Sequence, residues 1–578
     1  MATIQPKISR GHKYWYIVES RRVNGKPRPI VLAYLGKPED LLRRLQGLTE
    51  RVKVKSYSHG AVAALLDVAQ KLDIPPVINK YIESTRKYMP EKPVRNSLTA
   101  GITFLLGAIG RVCMPTSKRG WWNWAKTTSC EYLLRCSLSK IDSQHFWDLM
   151  DAVPVDAISK IESELLKRVQ KVYRVESDTL FFDTTNFYTY IDTTNGRCTI
   201  AQRGKNKQKR NDLRQTGLAL VVTKKDLIPL FHLTYRGNRN DTVVFKAIAS
   251  RVKDRIIELG LDLKKHTLVF DRGNNSKKNM SILKKIGFYY VGALTPYHHK
   301  KLIEDAERSF REVSVGENRI RAYRDKRIIW GEERTVIVYI SRKLKAGQLR
   351  GIYQALTKKM EELKEIQKSL SHPRAKKRDK VQLEEKINNL VKGQYIKNLI
   401  EWSLEEESEG RFKLDFYINI ENLNEIEDKL GFRILITDRH DWSTEEIIKT
   451  YWGQSDIENA FKNLKNPYHL TLKPQYHWTD QKIIVHYFIC VLGFLLITII
   501  WRQVKNEIGY DHSVDTLLDT LNNIRLATLL EESTTRGRVK AEYKLEEMSE
   551  EEKGIMEALK IKDFHINRPK FNGVGVYV

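Results

Sequence analysis

The 578-residue sequence contains few cysteines and no apolar segment at its N-terminus. Its five cysteines include no C-x-x-C pair and no spacing typical of a disulfide framework, so a reducing compartment is expected. The opening residues, MATIQPKISRGHKYWYIVES, lack the apolar core of a secretory signal. We therefore expect a cytoplasmic protein rather than a secreted, disulfide-bonded one.

Acidic residues are the scarcer charged type. The sequence has 100 Lys and Arg against 71 Asp and Glu, which gives a net charge of +29 and a pI of about 9.6. Such an excess of positive charge favours a polyanionic partner, and nucleic acid is the commonest one. A basic protein of the membrane surface is the alternative that composition leaves open.

Long uncharged runs are also scarce. The one obvious case is IIVHYFICVLGFLLITIIW, residues 483–501, which approaches the roughly 20 residues that a membrane-spanning helix needs. It stands alone, contains His486 and closely follows a charged segment. These features favour a buried core helix, and we predict no membrane association.

Local patterns divide the chain into six predicted segments. Two basic, aromatic stretches pivot on Asn24-Gly25, which predicts a β-hairpin that serves either DNA contact or a dimer. Helical spacing follows, and there Trp121, Trp122 and Trp124 lie among cations, as suits either nucleic acid or a packed core. The predicted segments are a hairpin unit (1–52), a helical DNA-binding region (53–172), the first part of a sheet domain (173–296), an insertion (297–438), the second part of the sheet domain (439–505) and a C-terminal helical tail with dimerisation as its candidate role (506–578).

Two aspartates mark the predicted sheet domain. Asp183 ends an apolar run in SDTLFFDTTNFYTY, and Asp271 directly follows the apolar strand TLVF. The order strand, hairpin, helix, strand, helix, strand predicts an α/β fold with a mixed sheet, in which the two aspartate-bearing strands are neighbours. A lone aspartate after a strand is otherwise a common turn starter.

A basic stretch, AQRGKNKQKRNDLR, lies between Asp183 and the next strand. A loop of this composition is suited to holding a phosphate backbone, and a solvated loop is the alternative. The cations that we assign to DNA binding are Lys205, Lys207, Lys209 and Arg210.

The segment YWGQSDIENAFKNLK, residues 451–465, carries the third candidate acid. If it is one helix, Tyr451, Gln454, Glu458 and Lys465 fall within roughly 60° of one another on its surface. Packed against the sheet edge, this face would bring Glu458 to the two aspartates. Converging carboxylates need neutralising cations, and oxygen ligands favour Mg²⁺ or Mn²⁺. A solvated charged helix is the alternative.

The predicted insertion contains a β-hairpin candidate around Gly331 and a long helix with leucines at heptad spacing. Ser371-His372-Pro373 ends that helix, and residues 381–391 supply a returning arm. We therefore expect a charged helical hairpin in this region. After residue 501 the chain is expected to be helical over residues 514–530.

Taken together, FFDTTNFY, VFDRGN and the pattern Y-x2-Q-x3-E-x6-K resemble bacterial insertion-sequence transposases of the DDE type. The similarity is to the IS-four superfamily, whose signature is Y-x2-R-x3-E-x6-K, and within it to the branch with a long insertion. The stretches VESRRVNGKPRPIVLAYLG and PQYHWTDQKIIVHYFICVLGFLL also resemble that branch. One departure is Gln454, which stands where the family has an arginine that holds a phosphate.

The resemblance implies an RNase H-like catalytic core, interrupted by an inserted β-plus-helical-hairpin region and preceded by a mostly helical DNA-binding region. It implies a homodimer that binds the terminal inverted repeats of transposon-end DNA, cleaves them and joins the 3′-OH ends to target DNA. Trp330 is the implied stacking partner for a flipped base, with Trp402 as the competing candidate.

The implied chemistry uses two Mg²⁺ or Mn²⁺ ions per active site, with Asp183 bridging both, Asp271 on one and Glu458 on the other. Tyr451 and Lys465 would hold phosphates, and Gln454 would do so as a neutral partner. Two alternatives remain at this point. One is a structure-specific nuclease that cuts without joining, and the other is a transposase-derived DNA-binding protein without activity.

Overall fold

The computed structural model describes residues 2–9, 11–23, 26–45, 52–86, 98–204, 210–239, 241–473, 475–531 and 541–571. The chain separates into two compact units. The first comprises Met1–Pro76, Lys92–Phe146 and Ile499–Val578, and the second comprises Val77–Glu91 and Trp147–Thr498. The protein is a mixed α/β protein with one large mixed sheet and many helices.

The described strands, in chain order, are β1 (Ala2–Ser9), β2 (His12–Val23), β3 (Lys26–Gly36), β4 (Val52–Ser58), β5 (Thr179–Thr189), β6 (Gln202–Arg203), β7 (Arg214–Thr223), β8 (Pro229–Arg236), β9 (Thr267–Phe270), β10 (Tyr289–Leu294), β11 (Arg311–Val315), β12 (Asn318–Ile329), β13 (Glu332–Ile340), β14 (Ile400–Ser408), β15 (Arg411–Ile418), β16 (Phe432–Thr437), β17 (Arg525–Glu531) and β18 (Ala541–Leu545).

The described α-helices are α1 (Pro38–Leu45), α2 (Gly60–Lys71), α3 (Ile74–Arg86), α4 (Ala100–Cys113), α5 (Trp121–Ala125), α6 (Cys130–Leu134), α7 (Ser143–Asp151), α8 (Val155–Tyr173), α9 (Asp241–Glu258), α10 (Lys277–Ile286), α11 (Lys300–Ser309), α12 (Arg342–Leu370), α13 (Lys380–Val391), α14 (Ile396–Leu399), α15 (Ile420–Asp428), α16 (Thr444–Trp452), α17 (Ser455–Asn463), α18 (Asp480–Ile508), α19 (Val514–Asn523) and α20 (Glu550–Leu559). Short 3₁₀ turns occupy Leu263–Lys265, Arg272–Asn274 and Pro296–His298.

The first unit contains two three-stranded sheets, with orders β1-β2-β3 and β18-β17-β4. The predicted N-terminal hairpin is present as β2 and β3, while its turn residues Asn24 and Gly25 lie outside the described residues. The prediction of an all-helical tail is wrong, because α19 ends at Asn523 and β17 follows. Pairing of β17 with both β4 and β18 satisfies its backbone hydrogen bonds, and no local propensity reveals that pairing.

The core of the first unit explains the tryptophan cluster. Trp121 and Trp124 are buried, and the Trp121 indole N–H donates to the carbonyl of Leu106 at 3.1 Å. These two side chains are therefore core residues, as one of the two alternatives predicts. Gly60 is needed where α2 meets α19, since a Cβ there would lie 2.5 Å from the carbonyl oxygen of Leu521.

The second unit is built on a ten-stranded sheet of order β11-β12-β13-β16-β10-β9-β5-β7-β6, in which β8 also pairs with β7. Strands β5, β9 and β10 are parallel neighbours, and β5, β7 and β8 form an antiparallel series. The mixed sheet is thus confirmed, as is the prediction that the two aspartate-bearing strands are neighbours. β7 is buried along its whole length, which explains its continuous apolar run.

The segment predicted as an insertion, 297–438, is only partly separate from this sheet. β11, β12, β13 and β16 all belong to the sheet, with β16 between β13 and β10. The part that leaves it runs from α12 to α15 and has its own apolar core, to which α12, α13, β14 and β15 contribute. The predicted helical hairpin is confirmed as α12 and α13.

The long uncharged run forms the middle of α18. By length and composition α18 could cross a membrane, but 94% of its apolar stretch is buried inside the protein. A helix that is apolar on all sides fits such a buried position. The prediction of a core helix agrees with this burial.

Candidate active site

The carboxylates of Asp183 and Asp271 come from neighbouring strands at matching positions. β5 and β9 pair in parallel with Phe182 opposite Phe270, so each aspartate follows one member of that pair. Both phenylalanines contact Phe245 of α9, at centroid distances of 5.5 and 5.1 Å. Because side chains alternate along a strand, both aspartates lie on the sheet face that is turned away from α9.

Asp183 lies inside its strand rather than at its end. The apolar run stops at Asp183, as the sequence indicates, and β5 continues beyond it to Thr189. The half-buried Asp183 carboxylate accepts a hydrogen bond from the Thr184 backbone N–H at 2.7 Å. Asp271 does end its strand and is exposed.

Residues 451–465 form two helices, so the prediction of one continuous helix face is wrong. α16 ends at Trp452 and α17 begins at Ser455. Between them the N–H groups of Gln454 and Asp456 bond to carbonyls three residues back, which tightens the backbone to a 3₁₀-like turn. Gly453 lets this turn approach β5, since a Cβ there would lie 2.8 Å from the Phe181 ring.

Tyr451, on α16, reaches Asp271. Its hydroxyl donates to Asp271 Oδ1 at 3.5 Å, a long hydrogen bond. The Tyr451 side chain is 6% exposed. Burial, and secondarily the charge of Asp271, raises the pKa of the Tyr451 phenol above its usual range. The phenol therefore remains a hydrogen-bond donor at neutral pH.

Lys465 lies on the same face of β5 as Asp183. Its Nζ donates to the hydroxyl of Thr185 at 2.5 Å and lies 5.5 Å from the centroid of Phe187. Thr185 is two residues from Asp183, so alternation puts both side chains on one side of the strand. Lys465 follows the end of α17 and is exposed.

Glu458 is exposed on α17, which packs on β5 through its buried face. Within the described part of the chain, neither Glu458 nor Asp271 forms a salt bridge. Gln454 is half-buried and precedes α17 without capping it through its side chain. No group of three or more Asp, Glu, His or Cys among the described residues is placed to hold a metal ion.

The donors present fit a magnesium site of one particular kind. Mg²⁺ commonly takes one or two protein carboxylates and completes its shell with water and substrate phosphates. Asp183 and Asp271 supply two adjacent oxygen donors of that kind. The side-chain arrangement of the described residues does not include Glu458 in a three-carboxylate cluster.

Of the four predicted DNA-binding cations in the basic stretch, the structure describes Arg210. Lys205, Lys207 and Lys209 lie outside the described residues. Arg210 pairs with Asp212 at 2.8 Å.

The β-hairpin predicted around Gly331 is confirmed as β12 and β13, and Trp330 lies in the tight turn between them. It has a φ of +52°, and Gly331 follows with +85°. Two successive positive φ values are typical of a two-residue hairpin turn, which favours glycine at the second position. The competing Trp402 is half-buried against the α12–α15 core.

Sequence reasoning missed two arginines near Tyr451. The Arg433 guanidinium lies 6.0 Å from the Tyr451 ring centroid, and the charges of Arg433 and Arg272 both act on the Tyr451 phenol. Arg272 directly follows Asp271 in the sequence, and that adjacency is the signal that could have found it. Arg433 comes from β16 and has no such signal.

The site is therefore a pair of carboxylates on parallel strands of a mixed sheet, flanked by a phenol and cations. No family model and no curated protein matches the chain. Among solved structures, the "Cryo-EM structure of piggyBac transposase synaptic complex with hairpin DNA" is similar over 79% of this chain and 79% of its own. The sequence identity is 10% and the TM-score 0.37. A likeness at that level carries no argument, so a function has to come from the site itself.

Proposed function

We propose that the protein is a DNA transposase of the DDE type, which cleaves transposon-end DNA and joins the 3′-OH ends to target DNA. The observation that supports this most is the parallel pairing of β5 and β9, which brings Asp183 and Asp271 side by side. Tyr451 and Lys465 reach the same sheet face from the segment that carries Glu458. The net charge of +29 suits a DNA substrate.

The sheet order supports an RNase H-like core for this proposal. An antiparallel series of three strands, β8-β7-β5, is followed by the parallel strands β9 and β10. The first strand of this group in the chain, β5, and the later strand β9 therefore lie side by side in the sheet. Acid residues on those two strands then share one face.

The roles of the residues follow from their chemistry. Asp183 and Asp271 would hold Mg²⁺ or Mn²⁺, with Glu458 as the third carboxylate of the two-ion site. The chemistry supplied by the bound ions is activation of water or a 3′-OH and stabilisation of the leaving oxygen. The Tyr451 hydroxyl would turn its single O–H from the long bond to Asp271 towards a DNA phosphate, and Lys465 would supply a positive charge on the β5 face. The functional form is a homodimer that holds two inverted-repeat ends.

The test replaces each carboxylate by its amide: Asp183→Asn, Asp271→Asn and Glu458→Gln. Nicking of a plasmid that carries the coding frame with its flanking DNA should fall about 100-fold or more, because several kcal/mol of charge stabilisation are lost. Gel-shift affinity for the same DNA should be retained, since cation–phosphate contacts dominate it. Glu421→Gln and Glu425→Gln, exposed acids of α15, are the matched controls. Near-wild-type nicking by any triad variant would remove that residue from the site.

A DNA-binding protein without catalysis is the second candidate. It is favoured by the absence of a three-carboxylate cluster among the described residues. Wild-type protein that shifts the DNA but never nicks it would establish this candidate. Nicking without joining of pre-cleaved ends to a target plasmid would instead identify a nuclease.

A further inference from the structure

Four exposed aromatic side chains lie on two segments near the end of β5. Tyr190 is 76% exposed, Tyr468 78%, Tyr476 61% and Trp478 68%. Exposed aromatic rings are not stabilised by contact with water, and a cluster of them indicates an interaction surface. We call these four residues, with Lys473, the aromatic platform.

The two segments are fastened to each other. The Asp480 carboxylate accepts hydrogen bonds from the backbone N–H groups of Thr199 and Ile200, at 2.7 and 2.9 Å. The Asn195 side-chain amide donates to the carbonyl of Trp478 at 3.2 Å. The loop after Tyr190 and the segment that ends at Trp478 therefore form one connected surface.

A buried arginine gives the loop its shape. The Arg214 guanidinium donates to the carbonyls of Asp192 at 2.8 Å, Asn195 at 3.2 Å and Ala201 at 2.6 Å, and also to that of Cys198. One planar cation with several fixed donors can hold several carbonyls in place at once. Arg214 therefore fixes the backbone of the loop that follows Tyr190.

Cations lie among the rings. Lys473 Nζ is 3.2 Å from the ring centroid of Tyr188, and the guanidinium of Arg210 is 5.9 Å from it. Tyr188 in turn meets Tyr190 edge to face at 6.0 Å. Aromatic rings interleaved with cations are the composition of surfaces that bind single-stranded nucleic acid.

Strand β5 links this surface to the candidate active site. Lys465 contacts Thr185, and Lys473 contacts Tyr188 further along the same strand. Tyr188 follows Asp183 by five residues, about 17 Å at the usual rise of a strand, and this odd spacing puts its ring on the opposite sheet face, so the two sites are connected around the end of β5.

We infer that the aromatic platform binds unpaired nucleotides of the DNA strand that leads away from the cleaved phosphate. This inference rests on the proposed function for the position of the cleavage site. Unpaired bases present both faces for stacking on Tyr476 and Trp478, whereas duplex bases are stacked on each other and offer only their edges. Lys465 on the Asp183 face and Lys473 beside Tyr188 then supply positive charge for phosphates at the two ends of that path.

The experiment measures binding of fluorescent dT20 and of a 20-base-pair duplex by anisotropy, in EDTA. Tyr476→Ala and Trp478→Ala should each weaken dT20 binding about 5- to 100-fold and leave duplex binding within about 2-fold. Trp478→Phe, which keeps a ring, should restore most of the dT20 affinity. Tyr297→Ala is the matched control, since Tyr297 is also exposed and has Lys300 Nζ 5.6 Å from its ring centroid.

Three outcomes would overturn the inference. These are unchanged dT20 binding, equal loss of dT20 and duplex binding, or loss of self-association in sedimentation with dT20 binding intact. The last outcome would make the platform a contact between copies of the chain. Because dT20 binding is measured without divalent metal, it is independent of catalysis. Failure of Asp271→Asn to reduce nicking would defeat the proposed function alone, and unchanged dT20 binding beside normal nicking would defeat this inference alone.

Discussion

Asp271 and Asp438 stand in the same sequence setting, directly after a short apolar strand of the same sheet, and they have opposite environments. Asp271 follows β9 and is exposed, and its carboxylate accepts the hydrogen bond from the Tyr451 hydroxyl at 3.5 Å. Asp438 follows β16, is half-buried and accepts a hydrogen bond from the Tyr290 backbone N–H at 2.9 Å. One carboxylate is available to a substrate, and the other is part of the packing.

Strand direction is the cause of this difference. β9 runs parallel to β10, whereas β16 runs antiparallel to it. The residues that follow β9 and β16 therefore emerge at opposite ends of β10. Asp271 shares its end with Asp183, while Asp438 lies beside Tyr290 at the other end. An acid after an apolar strand is a functional candidate only once the direction of its neighbours is known.

The largest expected effect separates the two aspartates by activity. Asp271→Asn should reduce Mg²⁺-dependent plasmid nicking about 100-fold or more, since it removes an anionic ligand from the proposed site. Asp438→Asn should leave nicking within about 2-fold. The measurement is initial nicking rate at equal DNA occupancy. If the two variants lose activity equally, the assignment of different roles to the two ends of the sheet is wrong.

The second prediction concerns stability, which substitution of Asp438 should change more than substitution of Asp271. Burial raises the pKa of Asp438 from 3.8 to about 6, against the opposing effects of the Tyr290 N–H and Arg334. The stabilising contribution of the protonated carboxyl is complete below pH 4 and is lost as the pH rises through about 6. For a shift of about two pKa units, the free energy of unfolding falls by about 2–3 kcal/mol when this contribution is lost.

Asp438→Asn keeps an acceptor for the Tyr290 N–H and cannot ionise. The variant should therefore gain stability relative to wild type between pH 4 and 6, by about 1–2 kcal/mol at pH 7 once the lost attraction to Arg334 is allowed for. Urea unfolding of wild type and variant at pH 4, 5, 6 and 7 measures the difference. A constant difference across this range would mean that Asp438 does not titrate in it.

The sequence predicts the sheet domain better than it predicts the first unit. The residues of β9 and α9 are sufficient to predict both elements. The apolar run TLVF followed by Asp271 indicates a strand without information from neighbouring strands. The strand β17 cannot be predicted in this way, because its leucines fit a helix equally well and only pairing with Val54 and Tyr57 of β4 selects the extended form. The close approach of Gly453 to β5 is similarly hidden, since the Phe181 ring that leaves no room for a Cβ there is distant in sequence.

The candidate site divides in the same way. Asp183, Asp271 and Lys465 were found from apolar runs and motif spacing. Thr185 and Arg433 were missed because their relation to Lys465 and Tyr451 exists only after β5 and β16 have been placed in the sheet.

The third prediction compares cations at the two ends. Lys465 is exposed and donates to the hydroxyl of Thr185, whereas the Arg439 guanidinium lies 3.8 Å from the centroid of the Tyr289 ring and donates to Thr267 at 3.0 Å. Lys465→Gln should reduce nicking about 10-fold. It should also reduce the slope of log affinity against log salt concentration by the amount expected for about one phosphate contact. Arg439→Gln should instead lower the unfolding midpoint with little change in that salt slope. Lys462→Gln, exposed on α17, is the control for Lys465. An unchanged salt slope in Lys465→Gln would exclude its phosphate contact.

The smallest expected effect concerns Gln454, where the resembling family has an arginine. Gln454→Arg adds a cation at the start of α17, near the end of the sheet that carries Asp271 and not Asp438. Charged donors bind phosphate more strongly than neutral amides do. The gain is limited, because the charges of Arg272 and Arg433 already act on Tyr451 there. We expect nicking to be retained or to rise by up to about 3-fold. In an Arg272→Gln variant the same substitution should raise the nicking rate by a larger factor than in wild type. The arginine at position 454 would then supply the positive charge that Arg272 no longer provides. The measurement is the nicking rate of the single and double variants, with Gln503→Arg of α18 as a control for added charge. A severe loss in Gln454→Arg would show that Gln454 has a local role of its own, and the correspondence with the family arginine would then be wrong.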